Sequence, residues 1–194
     1  MEEQELTNRF CNLFDQTLPI LTDIYKGFAG QKLNLLKESR LKFREIWKNR
    51  LPAVEKLIED KDKNEVEMKF VNLLPHLQRI ALSIDSLVDK MEAKVETNAL
   101  FSQKALDEIK QLMVVVGTEF TNVKDYLVTK SPVLKEQMRM DMEKMRKMID
   151  DYEMVHQNRL ITGVCVPKAS FLYIDMTDSL KRMAKELCLF TDKA

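Results

Sequence analysis

Glu153 and His156 stand three residues apart in "YEMVH", a spacing that puts a carboxylate and an imidazole on one face of a helix. Carboxylate-bridged di-iron bundles use such a pair twice, with a Glu from each of two further helices. The second copy is missing here, because the other histidine, His76, has Leu73 three residues before it. A single pair of this kind reads first as a buried histidine held by a hydrogen bond. A second candidate is the line Asp85, Asp89, Glu92 and Glu96, whose steps of four, three and four keep the carboxylates on one helix face. Oxygen ligands in that array suit Mg2+, Ca2+ or iron. Lys90 and Lys94 interrupt it and no second ligating helix can be named, so a solvated acidic stripe is the simpler reading. A metal-binding carboxylate bundle using Asp85, Asp89, Glu153 and His156 is carried as the alternative.

Other chemistries find little support. The chain has two histidines, no G-x-S-x-G turn, and no Gly-rich phosphate loop, since Gly27 and Gly30 lack a Lys-Ser/Thr partner. It is therefore expected to be no enzyme and to need no cofactor. Cys11, Cys165 and Cys188 are widely spaced and form no C-x-x-C, which suits a reducing compartment. The acidic start "MEEQEL" differs from a signal peptide, and no apolar run reaches the ~20 residues of a membrane span. A cytoplasmic location is expected.

Lys plus Arg and Asp plus Glu both number 31, which argues against nucleic acid as a partner. Charge is uneven, however: Lys26 to Lys56 holds nine basic residues against Glu38, Glu45 and Glu55. Lys42, Arg44, Lys48 and Arg50 are thus the candidate surface for an acidic partner or an anionic membrane face. A solvated helix face is the plainer alternative, given the core spacing of Phe43, Trp47 and Leu51.

The elements that must position these residues are all helical. Four Gly, five Pro and an apolar repeat at helical spacing predict an all-α chain. Leu6 to Ile24 forms the first stripe, with Gly27 and Gly30 as its C-terminal caps; the second runs from about Lys32 to Glu59, with Val54 and Ile58 inward. "DKDKN" turns the chain at Asp60 to Asn64. The third stripe, Phe70 to Met91, carries a kink signal at Pro75. The fourth is Leu106 to Leu127; Ser131 and Pro132 cap and start the fifth, whose core face is Met138, Met142, Met145, Ile149, Tyr152 and His156. Met140 and Met154 lie off that face. Gly163 stops the fifth helix and Pro167 opens the sixth, where Phe171, Leu172 and Tyr173 are expected to pack into the core and against a neighbour. A shift of 103 residues lays "HLQRIA" over "SLKRMA" and Arg79 over Arg182. Two antiparallel three-helix bundles related by an internal repeat, residues 1–97 and 98–194, fit this pattern.

The stretch "YEMVHQNRLITGVCVPKASFLYIDMTDSLKRMAKEL" resembles the end of the PhoU-like family, especially the cytoplasmic modules associated with sodium/phosphate cotransporters. His156, Arg159, Leu160, Gly163, Phe171, Asp175, Leu180 and Arg182 match its pattern in order. "LLPHLQRIALSID", with Arg79, is similar to the same motif in the first repeat, and "FSQKALDEIKQL" looks like the start of the next. The resemblance implies a regulator without turnover that binds a membrane phosphate transporter or a phosphate-signalling protein, with peripheral contact at the inner membrane face and a homodimer left open. Some members hold multinuclear metal clusters on an E/D-x-x-x-D motif. The corresponding positions here are Gln78 and Leu82 in the first repeat and Lys181 and Lys185 in the second, and an ammonium has no lone pair for a metal. Asp178 is expected to pair with Lys181 at i, i+3.

Overall fold

A computed structural model describes residues 3–50, 64–163 and 167–194. Among these residues the chain is all-α, with six helices: α1 (Glu3–Ala29), α2 (Leu33–Arg50), α3 (Glu65–Glu96), α4 (Gln103–Thr129), α5 (Pro132–Ile161) and α6 (Pro167–Lys193). Val54, Ile58, the turn before Asn64, Cys165 and the side chain of Arg50 lie outside the described residues.

The helix ends follow local chemistry. Asn64 opens α3 with a capping box, its side chain accepting from the Glu67 amide while the Glu67 carboxylate accepts from the Asn64 amide. Ser102 and Ser131 cap α4 and α5, with Pro132 at the start of α5 as the sequence predicts. Gly163, with φ 71°, takes the left-handed turn after α5, and Pro167 begins α6. Helix α1 stops at Gly30, one of the two expected glycines, whose amide bonds the Lys26 carbonyl, but the rest of the turn differs from expectation. Gly27 lies inside α1, and the left-handed residue is Gln31 (φ 53°), with the Lys32 amide bonding the Gly27 carbonyl and the Gln31 amide bonding that of Phe28. Gly27 serves packing instead: a Cβ there would lie 2.9 Å from Leu36 Cγ and 3.2 Å from the Leu36 amide. Helix α3 runs on through Pro75.

Four helices form the inner layer: α3 packs along α6 and α1 along α4, closed by α1–α3 and α4–α6 contacts. Helix α2 covers α1 and α3; α5 covers α4 and α6. One hydrophobic core, contributed to by all six helices, runs through the molecule. Its centre is aromatic: Phe10 stacks on Phe70, Phe14 meets Phe120 edge-on, and Phe190 meets both Phe10 and Phe14 edge-on. In α5, Met138, Met145, Ile149 and His156 are buried and Met142 is half-buried, while Met140 and Met154 face solvent. The expectation for "FLY" in α6 is corrected. Tyr173 is buried, Leu172 is half-buried, and Phe171 is 69% exposed. Successive helical residues turn by about 100°, so three in a row cannot share one face.

Candidate functional site

The His156 motif forms a buried corner between α4, α5 and α6. The His156 ring stacks on Tyr173 with centroids 4.6 Å apart. Tyr173 Oη donates to Glu108 Oε2 at 2.6 Å. Arg159 reaches the same carboxylate oxygen at 3.4 Å through Nη2 and donates through Nη1 to Ser102 Oγ at 3.1 Å, so α5 is tied to the first turn of α4. Burial, then the hydrogen bond to Glu108, holds the Tyr173 phenol far above its ordinary pKa. Burial and the neighbouring Arg159 cation push His156 below its ordinary value, toward the neutral ring. Glu108 Oε1, His156 Nε2 and Arg159 Nε are buried with no hydrogen-bond partner among the described residues. The cluster is an interhelical lock whose carboxylate is engaged by a phenol and a guanidinium. Glu153, half-buried and pushed up by burial, belongs with Lys181, Asp178 and Asp150 rather than with this lock.

The acidic stripe and the basic second helix meet each other. Asp85 accepts from Arg40 Nε and Nη2 (both 3.0 Å) and from Arg44 Nε (2.7 Å) and Nη2 (2.8 Å). Arg40 Nη1 also donates to Glu92 at 3.0 Å and lies 3.6 Å from Asp89, while Lys37 pairs with Glu96 at 2.8 Å. These hydrogen bonds, Arg40 first and Arg44 second, hold the Asp85 carboxyl well below the usual carboxylate range and raise both guanidinium pKa values. Arg44, proposed from sequence as a partner contact, therefore spends two donors on α3. Lys42 and Lys48 are exposed and have no ion pair among the described residues.

The four alternative metal ligands do not converge. Asp85 and Asp89 lie on α3 and Glu153 and His156 on α5, two helices that do not touch among the described residues. No group of three or more His, Cys, Asp and Glu side chains is arranged to hold a metal ion among those residues.

Arg79 of α3 and Arg182 of α6, which the 103-residue shift lays over each other, meet along the α3–α6 seam. Arg79, Leu82, Ser83, Ser86, Arg182 and Glu186 line a cavity of ≈ 170 Å³. Glu186 is held by His76 Nδ1 at 2.8 Å and lies 3.6 Å from Arg79 Nη1. Gln78 and Lys185 are exposed, and Asp175 lies 3.6 Å from Lys90 of α3. The Asp178–Lys181 pair is corrected: Lys181 Nζ donates across to Asp150 of α5 at 3.2 Å, and Asp178 supplies its backbone carbonyl to Arg182 Nε at 3.4 Å. The neighbouring helix offers Lys181 a carboxylate that a same-helix reading leaves out.

Glu108, Glu186 and Arg40 carry these clusters without a motif in the sequence to mark them, and Tyr173, expected only as a core residue, adds a hydrogen bond to Glu108. Glu108 had a signal, falling three residues after Ala105 and four before Leu112 on the buried face of α4, where a charge is out of place unless paired. No family model, curated protein or solved structure matches the chain.

Proposed function

We propose that the chain is a non-enzymatic, PhoU-like regulator of phosphate uptake that works by binding a membrane phosphate transporter or a phosphate-signalling partner. The observation that carries this reading is the ordered run His156, Arg159, Leu160, Gly163, Phe171, Asp175, Leu180 and Arg182. Its members sit at positions that set the geometry of the α5–α6 half: His156 and Arg159 lock α5 to α4 and α6, and Gly163 turns the chain. Arg79 and Arg182, on either side of one seam cavity, support the internal-repeat reading. A module of this kind acts through differential affinity for two states of its partner.

Lys42 and Lys48 are the favoured contact, because Arg44 is already engaged by Asp85. They suit an acidic loop of a transporter or the anionic inner face of a membrane. The test is recovery of partners by the immobilised full chain from solubilised membranes of cells grown with scarce and with plentiful phosphate. Lys42→Glu with Lys48→Glu should reduce recovery of a phosphate transporter or phosphate-signalling protein several-fold and shift stability by no more than about 0.5 kcal/mol. Unchanged recovery removes this surface. Absence of any phosphate transporter or phosphate-signalling protein from both captures overturns the phosphate reading.

A further inference from the structure

A groove of ≈ 620 Å³ runs along the outer face of α4 and α5, within the range of about 300–1,000 Å³ typical of small-molecule sites. Val114 and Val115 of α4 and Met145 and Met148 of α5 give it an apolar wall. Glu119 also lines it and is only 1% exposed. Its Oε1 accepts from Asn122 at 3.2 Å, whereas Oε2 is buried with no hydrogen-bond partner among the described residues. A buried acceptor without a donor keeps its full desolvation penalty, and an arriving N–H group would remove it. Asp141, on the opposite wall, accepts from Gln137 at 2.9 Å and is in no ion pair among the described residues.

The geometry points to a binding site for a small aliphatic amine, its ammonium donating to Glu119 Oε2 and neutralised by Glu119 and Asp141, its hydrocarbon tail along Val114, Val115, Met145 and Met148. The charges select the occupant. An anion would meet Lys110 and Lys144 at the exposed rim but face two acidic groups further in. A neutral apolar molecule would leave Oε2 unpaired. An alkylammonium satisfies the buried oxygen with a charged donor, the stronger class of hydrogen bond.

Binding is expected to be linked to protons. Burial and Asp141 push the Glu119 carboxyl up to about 7, with Asn122 opposing. The other titratable groups facing the groove are Asp107 and Lys110 of α4 and Lys144 of α5, and Cys188 of α6 lies within electrostatic reach of Glu119. An ammonium prefers the ionised carboxylate, so acid should weaken the complex. From pH 8 to pH 6 the ionised fraction of a group of that pKa falls about tenfold, and affinity should fall with it.

The test is calorimetric titration of the full chain with n-hexylamine at pH 8, 7 and 6, with n-hexanoate as the length-matched anion. Saturable hexylamine binding that weakens about tenfold by pH 6, with no hexanoate binding, is expected. Glu119→Gln should abolish both the binding and its pH dependence. Val114→Trp fills the groove from its exposed edge and should block binding even if the Glu119 variant folds poorly. Glu65→Gln, exposed on α3, a helix that touches neither α4 nor α5 among the described residues, should bind as wild type. Absence of hexylamine binding, equal binding by folded Glu119→Gln, indifference to Val114→Trp, or equal binding of hexanoate would each overturn the site. The result is independent of the phosphate reading, which rests on other residues.

Discussion

Glu119 and Asp85 show opposite ways of keeping a carboxyl group inside a helical protein. Arg40 and Arg44 surround Asp85, so the folded chain holds it ionised where the unfolded chain takes up a proton. That contribution to stability is complete above the ordinary carboxylate range and is lost as pH falls through it toward the lower folded value. Glu119 has the reverse sign. With its carboxyl pushed to about 7 from 4.5, folded Glu119 keeps a proton that the unfolded chain releases, so stability falls as pH rises between those values. The loss is on the order of 3 kcal/mol once both are passed. Glu119→Gln should therefore raise the urea midpoint relative to wild type at pH 8 and change it little at pH 4. Equal stability of the two proteins at pH 8 would show that this carboxyl does not suffer from burial. The residue was legible in part: Glu119 stands three after Val116 and four before Val123, on the apolar stripe of α4. The Asp85 clamp was not, since Arg40 and Asp85 are 45 residues apart and no local pattern pairs them.

At the scale of the elements, two glycines inside helices make a controlled comparison. A methyl group on Gly27 would press on the Leu36 side chain and, at 3.2 Å, on the Leu36 amide, which cannot swing aside. Around Gly117 in α4 nothing lies within 4 Å of the added carbon. Gly27→Ala should lose about 1–3 kcal/mol by forcing α2 off α1, and Gly117→Ala should gain about 0.5–1 kcal/mol from helix propensity. Urea unfolding of both variants checks the pair, and a gain at Gly27 would mean that α1 and α2 do not approach as closely as described. The stops and starts at Ser131, Pro132, Gly163 and Pro167 were readable because they depend on the residue's own backbone chemistry. The stop of α1 at Gly30 was readable too, but its left-handed residue was not, because Gln31 adopts that turn in place of a glycine. Phe171 departs from the core for another reason: the turn of the helix puts it outside while Tyr173 goes in.

The whole molecule is tied together across the middle of its sequence. Phe190 of α6 meets Phe10 and Phe14 of α1, Phe14 meets Phe120 of α4, and α3 lies along α6. A chain ending after α3 would expose the faces of α1 and α3 that normally cover α4 and α6. Residues 1–97 expressed alone should lose cooperative unfolding or associate, as judged by circular dichroism and sedimentation, whereas the full chain should unfold in one transition. A monomeric, cooperatively folding 1–97 fragment would contradict the shared core. Six helices were visible in the apolar spacing, but the shared core was not, because a helical stripe states that a face is buried without naming what buries it.

The two sides of α5 also sort its sulfur chemistry. Met140 and Met154 face solvent, while Met138 is sealed in the core. A diffusible oxidant meets the outer thioethers first, and their sulfoxides form where added polarity costs no packing. Met138 becomes reachable only when α5 lifts from its neighbours, so sulfoxide there records that opening and, by making the core polar, opposes reclosure.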